Sequence, residues 1–214
     1  MALSVMTWDE LNQLVGYKKS EPFDEYFEPM QISQKQKAQR KRLAGYLDDV
    51  FVGLLAELFY IEQMNAILSS DIYERTRQEY LQAVEKVGIV PDEYIIAHGM
   101  SVITNAVQVL YRHKDDPYYY SHDRAMALSE NEANSVFNYT EYEDIVKSGK
   151  YKYKTWNTIM DGRERDSHAE VNGLTIGIYD VFHLQGGDCY RPKDDSLGMS
   201  DEEIISCRCS LSFS

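Results

Sequence analysis

The chain is poor in cysteine, and three thiols in 214 residues cannot make the disulfide framework of a small secreted domain. Their odd number and their crowding toward the C-terminus suit a reduced intracellular protein or a local metal site. Any unbroken apolar run of about 18 residues is also lacking, so no membrane span is expected. The opening MALSVMTWDELNQLVG has no basic stretch leading into an apolar one, so no secretory signal is expected either. Positive charge is scarce. Lys and Arg number 22 against 35 Asp and Glu, a net charge of −13. Such a surface does not bind nucleic acid as a whole, because phosphate contacts need cations. No internal repeat or low-complexity tract is present.

What remains is the composition of a folded protein, with 43% hydrophobic and 12% aromatic residues. Residues 5–15 read as a short amphipathic helix with Trp8, Leu11 and Val15 on one side. Gly16, Pro22 and Pro29 then break the chain into an aromatic-rich connecting arm. Leu43, Leu47, Val50, Leu54, Leu58 and Ile61 recur at steps of three and four. They predict a helix capped by Ser33 and running to about Leu68. A second helix shows Tyr73, Tyr80, Leu81, Val84 and Val87 on one face and stops at Gly88 and Pro91. A third starts near Asp92 and uses Ile95, Ile96, Val102, Ile103, Ala106, Val107 and Leu110. The charged, proline-containing RHKDDPYYYSHD marks a boundary, and the helix after it ends at a Gly149 cap. Beyond Gly149 the period falls to two. Tyr151, Tyr153 and Thr155 alternate with Lys152, Lys154 and Trp156, and LTIGIYDVF and ISCRCSLSF are short and β-rich. The expected fold is α+β: a mainly helical N-terminal region, residues 1–115, followed by a small C-terminal α+β domain with a short β-sheet, residues 116–214.

The polar run DGRERDSHAEVNG, residues 161–173, carries the chemistry. Asp161 and Arg165 are four apart, as are Glu164 and His168. One or two helical turns over 162–171 would bring each pair together, with Asn172-Gly173 closing them. Fixed Arg–carboxylate pairs would then set the geometry of a domain with little apolar core. An enzymatic alternative takes His168 as general base and Arg163 and Arg165 as anion clamps, in a metal-assisted phosphodiesterase or nuclease. It has no companion motif: no phosphate-cradling Gly-rich loop, nucleophile elbow or HExxH. A metal reading has more behind it. In a strand, Cys207 and Cys209 point to one face and Arg208 to the other. Two thiolates with His168 and Cys189 form the S/N donor set zinc favours, and Arg208 is left to pair with Asp161 or Asp166. Separately, Lys35, Lys37, Arg40, Lys41 and Arg42 stand nearly unopposed in SQKQKAQRKR. They read as a solvated helix start or a contact for phosphate or a partner.

In order, NEAN…SGK, KTW, DGRERDSHAEVNG, DVF, GGDCYRPKD and ISCRC resemble the phage Mu F-like, or SPP1 gp7-like, head morphogenesis (minor head protein) family over about residues 121–212. The positions that carry the likeness are Glu132, Trp156, Asp161, Arg163, Arg165, His168, Gly173, Phe182, Pro192, Cys207, Arg208 and Cys209. Ser206 departs from it, standing where the family usually has Asn. The sequence ends soon after the Cys-Arg-Cys strand, so the toxin extension of some members is not expected. The resemblance implies a minor capsid protein of a tailed phage or prophage, located in the head interior or at the portal vertex, and in the host cytoplasm during assembly. Its implied partners are the portal and other head proteins, with a weak DNA contact, no membrane and no small-molecule substrate. It implies no catalytic residues and no certain cofactor, so zinc rests on the thiol–imidazole set alone.

Overall fold

A computed structural model describes residues 23–214; the helix expected over residues 5–15, with Trp8, Leu11 and Val15, lies outside them. The elements run α1 (Asp24–Phe27), α2 (Gln34–Gln63), α3 (Asp71–Glu85), α4 (Glu93–Arg112), a 3-10 turn (Pro117–Tyr120) and α5 (His122–Ser148). Then follow β1 (Tyr153–Asn157), α6 (Asp166–Glu170), β2 (Thr175–Gly177), β3 (Phe182–Leu184), β4 (Gly187–Cys189), α7 (Asp201–Ile204) and β5 (Ser210–Phe213). The fold is α+β, as expected. Two compact units divide it. One contains Leu43–Ser129, and the other joins Phe23–Arg42 to Glu130–Ser214. The RHKDDPYYYSHD stretch therefore lies within the first unit.

Long helices carry the first unit, while the opening turns of α2, with their Ser33 cap, belong to the second. At the start of α2, Ser33 Oγ accepts from Gln36 N–H at 3.3 Å while Gln36 Oε1 accepts from Ser33 N–H at 3.0 Å. That reciprocal capping box satisfies two otherwise orphaned groups. The helix stops at Gln63, short of Leu68, where Asn65 turns left-handed at φ 48°. Leu43, Leu47, Val50, Leu54 and Leu58 are buried. On α3 the inward face is Ile72, Thr76, Tyr80, Ala83 and Val84, about one residue round from the expected one. Tyr80 lies on both faces, and a Cβ on Gly99 of α4 would lie 2.4 Å from its ring, so the glycine is what lets the ring lie against α4. That helix starts where Asp92 Oδ1 accepts from Ile95 N–H at 3.0 Å. His122 and Asp48 form a buried pair at 2.8 Å.

The second unit holds the β structure. A three-stranded antiparallel sheet runs β2-β1-β5, and β3-β4 is a separate hairpin. Trp156 faces Leu211 across the sheet, and Tyr153 faces Gly177. Lys154 and Trp156 are the inward residues of β1, packed among Tyr142, Val171, Ile178, Phe182 and Met199. Part of the supposed connecting arm belongs to this unit, and its Tyr26, Phe27 and Met30 are buried. The Tyr26 hydroxyl donates to the Cys207 carbonyl at 2.9 Å. Gly149 follows α5 at φ 62°, the expected left-handed cap.

Candidate functional site

The polar run does not form the expected turns. Only Asp166–Glu170 is helical, because Asp161 is drawn elsewhere. Arg208 donates a two-pronged bond to its carboxylate, Nη1 to Oδ2 at 2.8 Å and Nη2 to Oδ1 at 2.7 Å. Arg163 adds Nη2 to Oδ2 at 3.1 Å and its backbone N–H to Oδ1 at 3.2 Å. The Arg208 guanidinium, helped by Arg163, holds the Asp161 carboxyl well below the usual carboxylate range. Arg163 also reaches Glu25 at 2.9 Å. Glu164 Oε2 accepts from the backbone N–H of Asp161 and Gly162, at 3.0 and 2.7 Å, and so stiffens the turn at Gly162, φ 83°. Arg165 donates to the Ile205 carbonyl at 2.5 Å. Neither the Asp161–Arg165 nor the Glu164–His168 pair forms, since the helix starts after the residues that would have aligned them.

The loop does close as expected. Gly173 is left-handed at φ 78° and donates N–H to the Trp156 carbonyl at 2.8 Å. Asn172 Oδ1 accepts from Thr158 N–H at 2.9 Å. The next segment thereby returns beside β1 as β2.

His168 enters the core with the short helix and is 2% exposed, its ring against the edge of Trp156 at 5.6 Å. Its Nδ1 lies 3.4 Å from Cys209 Sγ and 3.7 Å from Cys207 Sγ. On the other side Glu203 Oε2 stands 2.9 Å from Nε2, off the axis of a straight hydrogen bond. Cys207–Cys209 is not part of a strand; β5 begins at Ser210. The extended lead-in still alternates, so both thiols face His168 and Arg208 faces Asp161, not Asp166. Cys189 is buried but does not join the metal-competent group, which is His168, Cys207 and Cys209. Burial pushes the Cys189 thiol up to about 12. In the close thiol pair, the Cys209 S–H and then the imidazole draw Cys207 well below the ordinary thiol value, while Cys209 is pushed up by the same partner.

Several side chains that build this site were not singled out in the sequence. Asn134 donates to the carbonyls of Cys207 and Cys209 at 3.1 and 3.4 Å, and Asn138 to that of Cys209 at 3.1 Å. Asn131 Oδ1 accepts from Ser206 N–H at 2.7 Å. Their spacing of three and four on α5 was a readable sign of one polar helix face. Glu132, expected from the family pattern, is buried, and its charge acts on the Lys193 amine. Glu203 gave no signal, being one acid in the run Asp201-Glu202-Glu203.

The basic cluster needs correction as a contact surface. Arg40 is 0% exposed, with its guanidinium gripping Glu141 at 2.8 Å through both Nη1 and Nη2 and Asn134 at 3.2 Å through Nε. Lys37 is buried and donates to the Glu28 carbonyl. Lys41 bridges Asp24 and Glu28. Lys35 and Arg42 lie on the exposed side. The sequence weighs charges only along the chain, while Glu28 and Glu141, which take up Arg40, Lys37 and Lys41, come from other elements.

A family model described as phage Mu protein F like protein matches residues 95–212. An uncharacterised protein of Bacillus subtilis (strain 168), YqbB, is 26% identical over 122 residues, covering 52% of this chain and 39% of that relative's length. No solved structure matches. The matched span contains every element that builds the Asp161 clamp and the thiol–imidazole cluster except Glu25 and the Tyr26 arm. The chain belongs to the phage Mu protein F-like family, whose members serve in phage head morphogenesis.

Proposed function

We propose that this chain is a minor head protein of a tailed phage or prophage that acts in capsid assembly at the portal vertex through protein–protein contact. The supporting observation is that the family span coincides with side chains turned inward onto one another. Asp161, Arg163 and Arg208 bind among themselves, Arg165 holds the Ile205 carbonyl, and His168 is enclosed by Glu203 and two thiols. A general base needs reach to a substrate proton, and His168 has both ring nitrogens facing buried partners. The cavity beside it measures about 20 Å³, room for roughly one water and not for a phosphodiester. Portal and head proteins are the partner class, and the buried Arg40 and Lys37 put no weight on a DNA contact through that helix. Among the described residues, no helix is long and apolar enough to cross a membrane.

The test is co-purification of the tagged chain with the portal protein of the same phage or prophage, together with head counts after deletion of its gene. Portal capture and a fall in filled heads, restored by the gene in trans, are expected. Metal-stimulated cleavage of DNA that disappears in a folded His168→Ala variant would instead support the phosphodiesterase.

A further inference from the structure

The thiol–imidazole cluster is more than a dense polar core. Its three donor atoms, His168 Nδ1, Cys207 Sγ and Cys209 Sγ, lie within 4.8 Å of one another. A zinc ion with ordinary Zn–N and Zn–S bonds in tetrahedral array holds nitrogen and sulfur about 3.6 Å apart. The observed separations of 3.4 and 3.7 Å bracket that value.

The surroundings are those of a ligand set. Metal-bound histidines characteristically turn their second nitrogen to a carboxylate, which fixes the ring and its tautomer. Here Glu203 stands 2.9 Å from Nε2, itself held by Ser167 Oγ at 2.8 Å and the Gly186 N–H at 3.1 Å. The backbone behind the thiols is equally fixed, by Asn134, Asn138 and Tyr26 on the two cysteine carbonyls. Thr158 Oγ1 is 3.5 Å from Cys209 Sγ, but its proton goes to the His168 carbonyl at 2.8 Å. The cavity of about 20 Å³ opens onto His168, Cys207 and Cys209, and its size suits a single water as fourth ligand.

We propose that His168, Cys207 and Cys209 bind one Zn²⁺, with a water in the fourth position and Glu203 orienting the imidazole, as a structural site that ties the short helix α6 to the segment before β5. The role is structural because the cavity beside the ion has no space for a substrate. It does not depend on the head-assembly reading.

The experiment is zinc titration of the reduced, metal-free full chain, with bound metal counted by elemental analysis and Co²⁺ used as a spectroscopic probe. One ion per chain is expected, together with visible cobalt bands and a thiolate charge-transfer band. Cys207→Ser and Cys209→Ser should abolish binding, whereas Cys189→Ser should retain it. Because the serine variants can misfold, Glu203→Gln gives a second reading: binding weakened about 10–100-fold with the fold kept. Binding that survives Cys207→Ser, depends on Cys189, or is absent from the folded parent would overturn the site.

Discussion

Ser206 shows how one backbone angle exposes a sequence preference. Its φ of 57° lies in the left-handed region, where a side chain crowds its own carbonyl and only Gly, with Asn and Asp behind it, sits easily. The Asn that the resemblance leads one to expect at this position thus has a conformational reason. Ser206→Asn is expected to raise stability by about 0.5–1 kcal/mol, read as a higher melting temperature. An unchanged or lower one would mean that the Asn131 contact to its N–H already dictates the angle. Lys154 is the opposite case, a charge where the strand pattern needs an apolar residue. It is 0% exposed, its amine has no hydrogen-bond partner, and the rings of Tyr142, Tyr190 and Phe182 surround it at 4.8, 5.4 and 5.5 Å. Ring faces attract an ammonium, yet burial still pulls its pKa down to about 8. An unfolded lysine keeps its proton to about pH 10.4. Between those values the unfolded state binds more protons, so raising the pH removes a penalty that is complete below pH 8. Lys154→Met should therefore be more stable than the parent by about 1–3 kcal/mol at pH 7. Urea unfolding should show that gap narrowing toward pH 10, and a gap independent of pH would refute the charge as its source.

At the scale of elements, α5 organises the second unit through its amides. Asn131, Asn134 and Asn138 present donors and acceptors to backbone that has no ladder partner, at Ser206, Cys207 and Cys209. A segment without sheet bonds must satisfy those groups some other way. The opening turns of α2 meet the same helix through Arg40, which links Glu141 and Asn134. Removing one side of such a pair strands the other. Arg40→Met is expected to cost about 2–4 kcal/mol, less than for a fully enclosed pair because Glu141 keeps some solvent. A double-mutant cycle with Glu141→Gln measures the coupling. A cost near zero would return Arg40 to the surface role first read from the sequence. Periodicity made the long helices legible, together with the β1 strand and the Gly149 and Gly173 turns. It missed α1 because a four-residue helix between prolines has no period to show. It also misjudged the polar run, where i,i+4 spacing matters only if the backbone is helical there.

Across the whole molecule, the family motifs were legible as an ordered set and their bonds were not. The sequence leaves Asp161 and Asp166 open as partners of Arg208, and the structure shows Asp161. Cys189 was grouped with the other thiols on chemistry alone, and distance separates it. The missing information was tertiary throughout: which helix brings Glu141 to Arg40, and which acid of 201–203 turns inward to His168. The second unit is assembled from Phe23–Arg42 and Glu130–Ser214, so local patterns could not declare it.

That discontinuity carries a cost in time. Tyr26 and its acceptor on Cys207 are 181 residues apart, and a ribosome adding about 5–20 residues per second needs roughly ten to forty seconds to bridge them. Through that interval the emerging arm holds Phe27 and Met30 without the rest of their unit, while the stretch from Leu43 onward is free to collapse first. Until Cys207 emerges, the Tyr26 hydroxyl is without the carbonyl that it donates to in the folded unit.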